Sequence, residues 1–323
     1  MNRYHLLHVT GFHYDRPVSE SYNEVRLRPL HDDKQSCLSF RLTTTPPSKS
    51  ISYCDAFGNR AHQFNIPGEH RALTIEAESV VLTHETAGPV APGGSLAGLD
   101  ATCDEIFDEF YDFVSSSEYV PYLPQLREFA DEAERASDGT VEAFAEAATS
   151  LVHGRFKYAK GATHVQSSAA DALAAGAGVC QDFAHLLLGV ARSRGVPARY
   201  VSGYITPESI SGDGAHMGEV IGGQASHAWV EVYIPEADWV GFDPTLGGRT
   251  GLRHIRLAYG RDYSDVAPVR GVHKGVAGQR LSVDVRVRPA LDDVGHEQVR
   301  ESAASAGPEP AVSGRLQQPA QQQ

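Results

Sequence analysis

Cysteine is scarce: Cys37, Cys54, Cys103 and Cys180 are the only four in 323 residues, and no two form a C-x-x-C pair. So few, so scattered, they exclude a disulfide scaffold, and each has to be read on its own surroundings. Positive charge is also in deficit, with 28 Lys and Arg against 41 Asp and Glu and a net charge of −13. Nucleic-acid binding draws on Lys and Arg to displace counterions, so no nucleic-acid partner is expected, and anionic membrane surfaces are disfavoured for the same reason. No apolar run approaches the roughly 18 residues of a membrane span. The first residues lack the apolar stretch and small-residue cleavage site of a secretory signal, so a mature, cytoplasmic protein is expected. Neither a phosphate-binding G-x-x-x-x-G-K-[ST] loop nor a G-x-S-x-G elbow is present, and no repeat of solenoid or propeller period occurs.

What is present suits a globular chain with a sizeable core: 41% hydrophobic and 21% charged residues, over a length about twice the usual ~150-residue domain. Residues 1–88 alternate apolar and polar side chains in short runs, as at 24–30, 38–42 and 73–82, with turn signals at Pro46-Pro47 and Phe57-Gly58-Asn59-Arg60. A small β-sandwich domain is expected there. Residues 89–155 open with a Gly- and Pro-rich linker and continue as helical patterns. Residues 156–289 form a mixed core with a helix opening at Cys180, a strand over 198–205, a long Gly- and Ser-rich loop over 206–224, two strands flanking the turn at 235–238, and a last strand over 281–287. Residues 290–323 contain no aromatic residue and end in a Gln-rich run, so a disordered tail is expected.

The chemistry concentrates in three residues. A thiol acts as a nucleophile in its thiolate form, and the unpaired N–H groups of a helix N-terminus favour that form. Cys180 is placed at such an end, behind the small residues Ala177-Gly178-Val179. His227 stands on one predicted strand and Asp243 on the next, with the turn between them. In an antiparallel hairpin centred on residue 235 the two lie roughly opposite, so that the carboxylate fixes the imidazole tautomer. This is the arrangement of nucleophile, base and orienting group. On a strand, Trp229 and Tyr233 share the face of His227 and are candidates to line a substrate cleft. Asp182 and His185 follow Cys180 at spacings of two and five and invite a metal reading, but Cys180 and His185, five apart on a helix, diverge by about 140°, so no metal site is expected and His185 reads as a packed core residue. His5, His8 and His13 read as residues of a strand face. Cys37, Cys54 and Cys103 have no His–Asp partners and read as structural. The Gly-rich loop reads as a mobile flap.

Four segments, in order, resemble bacterial transglutaminase-like proteins: Gly178-Val179-Cys180-Gln181-Asp182-Phe183-Ala184-His185, then 195–204, then Ser226-His227-Ala228-Trp229-Val230-Glu231, then Gly241-Phe242-Asp243-Pro244-Thr245. Ser21-Tyr22-Asn23-Glu24-Val25-Arg26-Leu27 and Asp55-Ala56-Phe57-Gly58-Asn59 resemble the β-rich N-terminal domain these proteins carry, so the likeness spans about residues 1–289. It implies an α+β fold, a papain-like cysteine core preceded by the small β-domain. It also implies Cys180 as nucleophile, His227 as general base and acid and Asp243 as orienter in amide-directed acyl transfer or hydrolysis through a thioester. The backbone N–H of Cys180 is then an oxyanion donor, and Tyr158 and Gln166 are candidates for a second. The implied partner is a protein or peptide amide, with water or an amine as acceptor; no cofactor is implied. Gln181 stands where the animal enzymes carry Trp, and no Asp-rich loop has calcium-site spacing, so calcium-independent action is expected. A peptidase or amidase and a non-catalytic binding module are the alternatives, and the oligomeric state is left open.

Overall fold

The computed structural model describes residues 1–85, 94–206 and 226–290. The expected flap and tail, and most of the Gly- and Pro-rich linker, lie outside the described residues. The amino-terminal strands are β1 (Asn2–Val25), β2 (Gln35–Thr45), β3 (Ile51–Cys54), β4 (Arg60–Ile66) and β5 (His70–Thr83). Along the first half of β1 the even-numbered residues Tyr4, Leu6, His8, Thr10 and Tyr14 are buried, the period of a sheet with one covered face. The register of β1 shifts between His13 and Val18 and again between Ser19 and Tyr22. These irregularities bend the strand, so its first half pairs with β5 and its second with β4. The strand expected over 24–30 stops at Val25. From there Arg26 ion-pairs with Asp55 (2.9 Å), and the Leu30 N–H reaches across to the Arg256 carbonyl (3.0 Å).

The helical region begins with α1 (Leu96–Ala101), α2 (Cys103–Val114), α3 (Pro124–Ala136) and α4 (Val141–Arg155). A two-residue strand β6 (Lys157–Tyr158), helix α5 (Ala169–Ala175) and strand β7 (Ala177–Gly178), parallel to β6, lead into α6 (Cys180–Ser193). Ser168 and Asp171 form a capping box at the start of α5, and Gly176 closes it in the left-handed conformation. Strands β8 (Ala198–Ile205), β9 (Ser226–Ile234), β10 (Asp238–Asp243), β11 (Gly248–Arg249) and β12 (His254–Gly260) make one antiparallel sheet in the order β11-β10-β9-β8-β12. Leu126, Phe144, Phe183, Leu187, Val190, Val230 and Phe242 fill the core between this sheet and helices α3, α4 and α6. Among the described residues no helix is long and apolar enough to cross a membrane.

After the short helix α7 (Tyr263–Val266) the chain returns to the amino-terminal domain as β13 (Val269–Lys274) and β14 (Gln279–Pro289). β14 runs antiparallel along β1 from Tyr4 to Tyr14, and β13 pairs with the second half of β1. The β-rich domain is therefore a seven-stranded arrangement built from residues 2–83 and 269–289.

The domain is tied to the core through β12, whose outer edge would otherwise leave backbone groups unpaired. The Gln35 amide brackets Arg256, accepting from its N–H and donating to its carbonyl (2.8 Å each). Asn59 does the same at Tyr259 (2.9 and 2.8 Å). Beneath this edge Tyr4, Leu6, Val81, Tyr204, Ile255, Leu257 and Val285 make a shared apolar layer. Glu231 is buried beside Arg199, Arg256 and Lys34. Burial alone would raise its pKa, but the three cations outweigh this and hold it at about 2. The Arg199 guanidinium in turn stacks between Trp239 and Tyr259, 4.2 and 3.8 Å from the ring centroids.

Candidate active site

Helix α6 starts at Cys180 because the residues before it cannot extend the helix backward. Val179 is extended (φ −115°, ψ −175°), and the buried Asp182 carboxylate reaches back to accept the Val179 N–H at 2.7 Å. The Thr163 hydroxyl donates to the same oxygen, tying the loop before α5 to the helix start. A Cβ at Gly178 would lie 2.5 Å from that oxygen, so only glycine lets the chain pass. Burial raises the Asp182 pKa, and its other oxygen has no protein partner. His185, one turn on, is fully buried, accepts the Tyr263 N–H at 3.2 Å and lies between Tyr119 and Tyr200. Asp182 and His185 thus serve separate hydrogen bonds and do not converge on an ion, and burial lowers the His185 pKa to about 3.

His227 is the second residue of β9 and pairs with Gly203 of β8. A Cβ at Gly203 would come within 2.2 Å of the Ile255 carbonyl and 2.5 Å of the Trp229 ring, so the bare backbone there lets β12 and Trp229 close up behind His227. The β9–β10 hairpin is offset from the expected register. Ile234 pairs with Asp238 and Val230 with Phe242, so Asp243 lies one step beyond Val230's partner and diagonal to His227. The diagonal still brings the side chains together: His227 Nε2 is 2.7 Å from Asp243 Oδ2. Both side chains are shielded from solvent.

Asp243 is held from four directions. Oδ1 accepts the N–H groups of Thr245 (2.9 Å) and Leu246 (3.1 Å), and His254 Nε2 of β12 approaches Oδ2 at 3.1 Å. His254 Nδ1 accepts the Gly251 N–H at 3.1 Å, which places that ring's proton on Nε2, donating to the carboxylate. Burial would raise the Asp243 pKa, but the donors from His227 and His254 prevail and hold it well below the usual carboxylate range. His254 carries no sequence signal beyond one His in an alternating run, and its place here depends on the pairing of β12 with β8.

His227, Asp243 and His254 offer the donor types of a metal site, with ligand atoms within 4.8 Å of one another. The proton that Gly251 fixes on His254 Nε2 occupies the lone pair a metal would need, and the 2.7 Å separation is that of a charge-assisted hydrogen bond. The cluster fits a proton network better than an ion.

The remaining His227 nitrogen, Nδ1, is buried and without a hydrogen-bond partner of good geometry, and the Cys180 thiol is, besides Asp243, the group whose charge acts on the ring. Burial alone would lower the pKa of His227, but the Asp243 carboxylate and the Cys180 sulfur push it up to about 10. A histidine raised in this way lends stability that is complete below its unfolded value of about 6.5 and is lost as pH rises towards about 10. Urea unfolding between pH 6.5 and 10 should therefore show wild-type stability falling more steeply than that of His227→Gln. Parallel slopes would count against a buried imidazolium.

Cys180 and His227 open on one cavity of about 690 Å³. Tyr158, on β6, is half-buried and electrostatically coupled to Cys180; burial, then the neighbouring Cys180 and Asp182, push its pKa up to about 12. Gln166 is exposed and does not line the cavity. The chain turns through Ser167, whose hydroxyl meets His164, and presents Val165 to the cavity instead. Trp229 and Tyr233 do share a strand face with His227, but that face packs inward. Trp229 lies edge-on to His254, and Tyr233 packs against Phe110 and Trp239, so neither lines the cavity. Gln181 does line it, with its amide donating to the Val165 carbonyl at 3.0 Å. All four cysteines are free. Cys54 and Cys103 are exposed rather than packed, because they sit at the end of β3 and in the first turn of α2.

The helix that opens at Cys180 and the sheet that carries His227 and Asp243 form a papain-like, transglutaminase-like fold. The sequence matches two family descriptions, the bacterial transglutaminase-like N-terminal region over residues 4–82 and the transglutaminase-like superfamily over residues 127–244. The chain belongs to the transglutaminase-like superfamily, a family of cysteine-dependent, amide-acting enzymes. An uncharacterised protein of Mycobacterium leprae is 33% identical over 287 residues, spanning 89% of this chain and 99% of that one. One from Mycobacterium tuberculosis is 31% identical over 320 residues, 91% and 95% of the two chains. A candidate cysteine protease from Cytophaga hutchinsonii has the same fold, with a TM-score of 0.64 at 22% identity over 91% of this chain and 92% of its own.

Proposed function

We propose that the protein acts on a peptide or protein amide through a thioester on Cys180. The Cys180 sulfur bonds to the carbonyl carbon as the carbon–nitrogen bond breaks, and His227 gives its proton to the departing nitrogen, which leaves as ammonia or an amine. Water or a second amine then attacks the thioester, His227 takes up the attacker's proton, and the sulfur is released. Asp243 keeps the ring turned with Nδ1 towards the sulfur, and His254 keeps Asp243 in place. The first-turn N–H groups of α6, beginning with that of Cys180, have no intrahelical acceptor and suit a developing oxyanion.

One observation carries this reading. The imidazole of His227 is locked at Nε2 by Asp243 while Nδ1 is left for the thiol, inside a cavity open to a ligand. Exposed Cys54 and Cys103 supply internal controls for a test. With iodoacetamide at pH 6.5, peptide mass mapping should find Cys180 alkylated at least about tenfold faster than either, although it is the less exposed thiol. In His227→Ala that advantage should vanish. Equal rates for Cys180, Cys54 and Cys103 in the wild type would sink the nucleophile assignment.

A further inference from the structure

The wall opposite Cys180 comes from the β-domain. Its residues are His8, Thr10, Phe12 and Tyr14 of β1, with Val272 and His273 of β13 and Gln279, Leu281 and Val283 of β14 among their neighbours. The chain is 21% charged, yet among the described residues that line this cavity none is Lys, Arg, Asp or Glu. Strand alternation explains the sorting. On β14 Gln279, Leu281 and Val283 line the cavity, while the alternate residues Arg280, Ser282, Asp284 and Arg286 do not.

The wall is also apolar where it meets solvent. Val272 and Leu281 remain 68% and 55% exposed beside the cleft, next to Phe12 and Tyr14 in its lining. Phe12 and Tyr14 stack at 6.5 Å between centroids, and His273 meets the Tyr14 ring at 5.0 Å. The histidine at the floor adds no charge. His8 has both ring nitrogens engaged, with Tyr204 at 2.7 Å and Thr10 at 2.9 Å, and burial lowers its pKa to about 4. The buried apolar layer and the Gln35 and Asn59 brackets hold the wall in a fixed place against the core.

We propose that this inner face of the β-domain is the binding wall for an uncharged peptide segment flanking the reactive amide, with apolar or aromatic side chains seated over Phe12, Tyr14, Val272 and Leu281. The proposal rests on Cys180 being the reacting thiol. A carboxylate or ammonium brought against this wall would lose hydration with no Lys, Arg, Asp or Glu among its described residues to compensate it, whereas a phenyl ring gains contact along it. Gln279, Ser202 and Asn23 supply neutral hydrogen-bonding groups among the lining residues, enough to orient an amide without selecting for charge.

The test is binding to Cys180→Ala, which separates recognition from chemistry. Calorimetric titration would compare three blocked peptides, Phe-Gln-Phe, Glu-Gln-Glu and Lys-Gln-Lys. The neutral peptide should bind at least about tenfold more tightly than either charged one. Adding Leu281→Lys, at an exposed position where folding is preserved, should close most of the gap for the Glu peptide and widen it for the Lys peptide. Equal affinities for the three peptides, or no binding of the neutral one at millimolar concentration, would overturn the wall. Selective binding together with an inert Cys180 in the alkylation experiment would leave the wall standing and remove the reaction. Rapid alkylation with no neutral preference would do the reverse.

Discussion

Cys180→Ala is expected to abolish turnover of any amide or ester the wild type accepts, with a loss of at least about 10⁴-fold in kcat. No other described thiol can replace it, since Cys37 lies on β2, Cys54 and Cys103 are exposed, and none of the three lines the cavity with His227. Removing one half-buried sulfur should shift the unfolding free energy by no more than about 1 kcal/mol. Paired measurement of kcat and the urea midpoint therefore distinguishes a lost nucleophile from a lost fold. Retained turnover would end the thioester mechanism.

Asp243→Asn should cost nearly as much, about 10³- to 10⁴-fold in rate, by a different route. The carboxylate accepts on both oxygens: Oδ2 faces His227 and His254, Oδ1 faces the N–H groups of Thr245 and Leu246. An amide accepts on only one side. With its oxygen towards the histidines, its NH₂ opposes the two backbone donors; turned over, it offers a donor to His227 and invites the wrong tautomer. Either way a buried donor pair is left unmatched, so a loss of about 1–3 kcal/mol in stability should accompany the kinetic defect. Alkylation of Cys180 by iodoacetamide should slow but remain measurable, because the thiol is untouched. Unchanged kcat in a folded Asp243→Asn protein would remove Asp243 from the mechanism.

Some of this site is legible in the chain without coordinates. The small residues 174–178 followed by helical spacing mark the start of α6 at Cys180, and the structure opens that helix at the same residue. The turn at Pro235 marks the hairpin that carries His227 and Asp243. Its register is not legible. Asp238, with φ of +59°, joins β10 and pairs with Ile234, which leaves three residues in the loop and moves Asp243 to a diagonal position. Trp229 and Tyr233 show the limit of alternation: a period of two says that residues share a face, but whether that face meets substrate or a second layer depends on Gln35, Arg256 and the helix carrying Phe110. His254 was beyond reach for the same reason. Its role depends on β12 lying beside β8, a pairing between segments about 50 residues apart, with a register shift between Arg256 and Ala258.

The course of β14 has a consequence for how the molecule is made. The first half of β1 emerges early and can pair with β5 once about 80 residues are out, but its other edge waits for residues 279–289. Until residues 279–289 have been made that edge, including the stretch from His8 to Tyr14, has unpaired backbone groups and apolar side chains open to other chains. The whole cysteine-bearing core is translated in this interval. Closure of the amino-terminal domain is thus a long-range event, slow by topology, and it follows translation of the core. Only then does the wall opposite Cys180 exist, so a nascent chain carries its thiol before it carries the means to select what reaches it.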